Sequence, residues 1–187
     1  MTTNNNETDS KSKKLTTPVN IGSDHIRGSI NAPITIVEYG DYECPYTGMA
    51  YPVVKDIMKQ FGDQIYFVFR NFPLNDIHPH AQHAAEAAEA AAAQDKFWQM
   101  HDYLFEHQKA LDDAHLLEYA KKVRLDIDKF KKDMSGHVYA SLIYRSLKSG
   151  IDSGVEGTPT FFVNGEPYED SWDLDTFSSF IKRNLPR

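Results

Sequence analysis

Ile34-Thr35-Ile36-Val37-Glu38-Tyr39, followed closely by Tyr42-Glu43-Cys44-Pro45-Tyr46-Thr47-Gly48, is the stretch on which the reading of this chain turns. The first run is apolar and β-branched and reads as a strand. The second places the only cysteine of the chain where a helix begins. Pro45 suits the first helical position, because its missing N–H would be unsatisfied there in any case. The open amides of the first turn and the helix dipole stabilise an anion just ahead of it. In such a place a free thiol of pKa ~8.5 falls to ~3.5–7.5, which makes Cys44 the candidate nucleophile. A dithiol redox motif would carry its second cysteine at position 47, and this chain has Thr47.

Outward from that point, Pro45 to Phe61 has helical spacing, is stopped by Gly62, and should be kinked by Pro52. Ile65 to Arg70 reads as the next strand, so that strand, helix and strand form a unit with parallel strands. Thr160 to Val163 and Glu166 to Tyr168 form a hairpin across Asn164-Gly165. Between about 75 and 150 the chain is made of helix formers in pieces: His80 to Ala93, Asp95 to His107, Asp113 to Val123, Asp126 to Met134 and His137 to Lys148. A last amphipathic helix, Asp173 to Leu185, covers the hairpin with Leu174, Phe177, Phe180, Ile181 and Leu185. The class is α/β.

Composition narrows the function. At 187 residues, 41% of them hydrophobic and 12% aromatic, the chain builds one substantial core, placed at 19–187. Its 20 basic and 27 acidic side chains give a formal charge of −7, which offers nucleic acid no attractive face. A lone cysteine forms no internal disulfide, so the one disulfide open to it is intermolecular. Residues 1–18, rich in Asn, Thr, Ser and Lys, lack the apolar surface that would offset their ordering and are expected to be a disordered leader. They hold no signal-peptide core, which points to the cytoplasm, and no apolar run approaches the ~18 residues of a membrane span.

Three stretches together resemble the DsbA-like branch of the thioredoxin superfamily. They are Glu38-Tyr39-Gly40-Asp41-Tyr42-Glu43-Cys44-Pro45-Tyr46, Gly157-Thr158-Pro159-Thr160-Phe161-Phe162-Val163-Asn164-Gly165, and Lys96-Phe97-Trp98-Gln99-Met100-His101-Asp102. The resemblance implies a thioredoxin-like fold with an inserted α-helical domain. It makes Pro159 a cis proline standing against Cys44, and Thr158 a residue whose backbone pairs with a bound peptide or glutathione like an added strand. With Pro45 and Tyr46 these form the substrate-binding set. The chemistry of the peptide bond agrees, since X-Pro tolerates cis and a proline at a strand start needs no amide donor. Glu38 interrupts an apolar strand at the place where the family often has a buried acid that handles the proton of the thiol; the alternative is an outward-facing strand residue. Thr47 is a candidate hydrogen-bond donor to the thiolate, although it cannot resolve a mixed disulfide.

His78, His80 and His83 invite a metal reading, but Pro79 constrains the turn and no complete ligand set follows, so no metal is assigned. Phe97, Trp98, Tyr103 and Phe105 read as core of the insert, and Ala87 to Ala93 allows close helix packing. The leading function is a DsbA-like thiol-disulfide oxidoreductase working with one thiol on protein or peptide disulfides. It holds no bound cofactor and uses glutathione as co-substrate and external resolving thiol. Two alternatives stand beside it: a non-catalytic peptide-binding or chaperone module using the groove between Cys44, Tyr46 and Pro159, and a glutathione-using transferase or isomerase.

Overall fold

In the computed structural model, which describes residues 13–186, the chain runs β1 (His25–Gly28), β2 (Ile34–Gly40), α1 (Pro45–Phe61), β3 (Ile65–Asn71), α2 (Ala81–Ala92), α3 (Phe97–Glu106), α4 (Asp113–Lys122), α5 (Ile127–Ser135), α6 (Ala140–Asp152), β4 (Thr160–Val163), β5 (Glu166–Tyr168) and α7 (Leu174–Asn184). The five strands form one sheet in the order β1-β3-β2-β4-β5. Strands β2 and β3 are parallel, Ile34 beside Ile65 through to Gly40 beside Asn71, and every other pairing is antiparallel. The apolar character of β2 and β3 follows from this central place, because both of their faces are covered.

On one face Ile34, Ile36, Phe67 and Phe69 pack beneath Ala50, Val54 and Ile57 of α1 and Phe177 and Ile181 of α7. On the other, Val37, Tyr39, Val68 and Phe162 lie under Leu147 of α6 and the chain at Leu15 and Val19. Helices α2 to α6 enter between β3 and β4. Their central member is α2, where Ala84, Ala85, Ala87, Ala88, Ala90 and Ala91 are all buried, so small side chains let it touch α3, α4, α5 and α6. Aspartates start α4, α5 and α7: Asp112, Asp126 and Asp173 each accept amide N–H groups of the first turn. Helix α1 continues through Pro52.

Two features were not legible beforehand. Strand β1 is four residues long and half polar, with no alternation to announce it; antiparallel pairing of His25 with Phe69 through Gly28 with Tyr66 defines it. Of the leader expected over 1–18, residues 1–12 lie outside the described residues, but 13–18 are tied to the body. The Leu15 amide donates to Gly165 O (3.0 Å), the Thr16 amide to Ser153 Oγ (3.0 Å), and Lys14 pairs with Glu166 (2.8 Å).

The hairpin and α7 meet at Phe177, fully buried, its ring stacked on Tyr168 at 4.4 Å and edge-on to Phe161 at 5.4 Å. Phe177→Ala leaves a cavity there and should cost about 3–5 kcal/mol in urea unfolding. A loss below about 1 kcal/mol would show that α7 does not close the core.

Candidate active site

Strand β2 ends at Gly40 and α1 begins at Pro45, so residues 41–44 form the turn that presents the thiol. Cys44 is the N-cap of α1 in extended conformation (φ −68°, ψ 121°), with Pro45 at the first helical position. Its thiol donates to the carbonyl of Thr158 at 3.3 Å, although the two residues lie 114 positions apart. The Thr158–Pro159 peptide bond is cis. Cys44 itself is 3% exposed, whereas Tyr46 is 64% and Met49 60% exposed on the outer side of α1.

Glu38 faces inward and is 3% exposed, which removes the outward-facing alternative. It lies opposite Phe69 of β3 and Phe161 of β4, and its Oε1 has no hydrogen-bond partner among the described residues. Burial pushes its pKa up from 4.5 to about 8. Thr47 is fully buried, and its hydroxyl accepts from the Asp41 amide (3.5 Å), while no hydrogen bond joins it to Cys44 Sγ among the described residues. Among the described residues the only bond at Sγ is the one to Thr158 O, and the side-chain Oγ1 of Thr158 is buried without a partner there.

The structure adds residues that carried no signal of chemistry in the sequence. Asp41, 1% exposed, accepts from the Glu43 amide (2.8 Å), the Leu74 amide (2.9 Å) and His78 Nδ1 (2.7 Å). Glu43 in turn accepts from the His80 amide (2.6 Å) and His80 Nδ1 (2.9 Å). The histidines that suggested a metal are thus held by separate carboxylates, His83 by Asp113 at 2.7 Å, and two of them lash the loop after β3 to the turn before the nucleophile. An Asp-x-Glu pattern before Cys44 was the available clue, since Asp side chains cap their own turn two residues on. Beneath the turn, Tyr42 shares a 3.1 Å hydrogen bond with Nδ1 of His101, and burial holds that imidazole well below its usual pKa, hence neutral.

A cavity of about 840 Å³ lies elsewhere, between residues 17–25, the end of β3 and α6. Its buried charges are already satisfied: Arg70 donates to both Asp24 oxygens, to the carbonyls of Thr17 and Pro18, and to Tyr39 Oη, and Glu89 accepts from Asn71 Nδ2 (2.7 Å) and His25 Nε2 (2.9 Å). Geometry, not volume, marks Cys44 as the site.

A parallel β2-α1-β3 unit, an antiparallel hairpin, helices between them, and one thiol facing a cis proline define a thioredoxin fold of the helix-inserted, DsbA-like type. The chain belongs to the thioredoxin family, whose model matches residues 20–183. Among solved structures it is similar to oxidised BdbD from Bacillus subtilis, at 26% identity and a TM-score of 0.79 over 89% of this chain and 95% of that one. A thioredoxin-like oxidoreductase from Silicibacter pomeroyi gives 25% identity and a TM-score of 0.76 over 86% and 91%. Wolbachia pipientis α-DsbA1, at 20% identity and a TM-score of 0.78 over 90% and 93%, shares the fold. In sequence the chain is 46% identical over 167 residues to the Na+/H+ antiporter NhaA 1 of Salinispora arenicola, covering 89% of this chain. It spans about a quarter, 26%, of that protein's length.

Glu38 yields a signed prediction. Its pKa in the fold lies above the unfolded value, so the stability it contributes is complete below pH 4.5 and is lost as pH rises to about 8. Glu38→Gln removes that loss. Relative to wild type it should gain about 3–6 kcal/mol between the two limits, read from urea unfolding at both pH values. A difference independent of pH would mean that Glu38 does not titrate late.

Proposed function

We propose that this chain is a thiol-disulfide oxidoreductase that works through Cys44 alone. The observation that carries the reading is the 3.3 Å approach of Cys44 Sγ to the carbonyl of Thr158, directly before the cis bond to Pro159. A nucleophile and a backbone edge able to hold an extended chain lie side by side. The relatives named as oxidoreductases support the same chemistry.

The Cys44 thiolate attacks one sulfur of a protein disulfide. The Cys44–substrate bond forms as the substrate's S–S bond breaks, and the other sulfur leaves as a thiolate that takes up a proton. With no second cysteine in the chain, a glutathione thiolate attacks the Cys44 sulfur and frees the substrate's remaining thiol. A second glutathione removes the first as glutathione disulfide and restores the Cys44 thiol. One substrate disulfide is reduced and two glutathiones are oxidised. Glu38 takes and returns the proton at the sulfur, while Pro45, Tyr46, Thr158 and Pro159 hold the substrate. Dependence on an external thiol fits a reducing compartment, the cytoplasm. The proposal rests on the site and not on the antiporter name of relatives of which this chain spans about a quarter.

The burial of Cys44 at 3% exposure favours a second reading, a module that holds peptides without turning them over. Thr47→Cys separates the two. Three positions after Cys44, the new thiol should form an internal disulfide and give dithiol activity in insulin reduction, while wild type shows activity only with glutathione. A variant that forms the disulfide yet stays inert toward disulfide substrates would favour the binding module.

A further inference from the structure

Gly48 occupies the fourth position of α1, where glycine is unfavourable by roughly 1 kcal/mol relative to alanine. Nothing in its backbone requires glycine, since it continues a regular helix and its amide donates to Cys44 O at 3.0 Å. The reason lies across the interface with the helical insert. A Cβ at position 48 would overlap Oε1 of Gln108 and come within 2.5 Å of its Cδ and 2.8 Å of its Nε2.

Gln108 is a half-buried residue of the loop between α3 and α4. Its Nε2 donates to the carbonyls of Tyr42 (2.8 Å) and Cys44 (3.0 Å). One carboxamide from the insert therefore grips the two carbonyls that flank Glu43, with its oxygen against the bare face of Gly48. Holding the Cys44 carbonyl fixes the peptide plane between Cys44 and Pro45, and with it the N-cap conformation that aims Sγ at Thr158 O. Without the amide, the Tyr42 carbonyl, in a residue 1% exposed, loses its donor.

We propose that Gln108 is a positioning residue for Cys44, that Gly48 is glycine so that Gln108 can reach the turn, and that through this contact the helical insert sets the reactivity of the nucleophile. The inference deepens the oxidoreductase reading and rests on it for its biological meaning. Its test needs no disulfide substrate.

Cys44 is the only cysteine, so iodoacetamide reports on it alone. The full chain is compared with Gln108→Met, which keeps the length and loses the donors, with Gly48→Ala, which gains helix propensity but evicts the carboxamide, and with the double variant. Each single change should slow alkylation about three- to tenfold and alter its pH profile, with the far-ultraviolet circular dichroism unchanged. The double variant should be no slower than either single one, because both remove the same contact. Folded single variants that react like wild type, or effects that multiply in the double variant, overturn the proposal. If Gly48→Ala does not fold, Gln108→Met and Gln108→Glu decide it: the carboxylate cannot donate to the two carbonyls and must react no faster than the Met variant. Loss of the Gln108 effect overturns positioning alone, whereas wild-type inertness toward disulfides with the Gln108 effect intact overturns the oxidoreductase reading alone.

Discussion

Strand β2 is hydrogen-bonded on both edges, in parallel to β3 and antiparallel to β4, and this double pairing is the constraint on which the rest depends. The parallel partner requires a crossover, which α1 supplies, and the crossover places a helix start at the end of β2 where the thiol emerges. The antiparallel partner begins with Thr160 opposite Tyr39, so the residues just before it, Thr158 and Pro159, stand at the same end of the sheet. Cys44 and Thr158 meet because two registers put them there, not because of any local sequence between them.

That end of the sheet carries most of the unusual chemistry of the molecule. Glu38 and Asp41 are both buried within six residues of Cys44, but they are treated differently. Asp41 is compensated by two amides and an imidazole and acts as a structural knot. Glu38 has an oxygen with no partner and holds a proton to about pH 8. A protein assembled for stability alone would replace such a carboxyl with an apolar side chain, which sets Glu38, six residues before Cys44, apart from the carboxylates that only fasten loops.

Much of this was legible in the sequence where one residue type answers to one local rule. Pro45 after Cys44, Gly62 after α1, the aspartates before α4, α5 and α7, and Asn164-Gly165 in the hairpin each mark a boundary through backbone geometry or an unsatisfied amide. The site was less legible because its supports are long-range. Gln108 lies in a loop whose composition says nothing of carbonyls sixty-six and sixty-four residues earlier. Thr47 reads as a partner for the sulfur, yet the bond its hydroxyl makes is one it accepts from the Asp41 amide. Strand β1 failed for the same reason: its pairing with β3, together with Trp98 donating to Ile26 O at 3.0 Å, defines it, and neither is visible in four residues.

The course of the chain ahead of β1 has its own consequence. Arg70 holds the carbonyls of Thr17 and Pro18, Leu15 bonds to the hairpin turn, and Lys13 lies beside Gly154 and Glu156 in a depression shared with Thr158 and Pro159. The first described residue therefore lines the same depression as the loop that faces the sulfur, and the Lys13–Glu156 and Lys14–Glu166 pairs set two ammonium groups on that side of the molecule, where they offset part of the chain's negative charge.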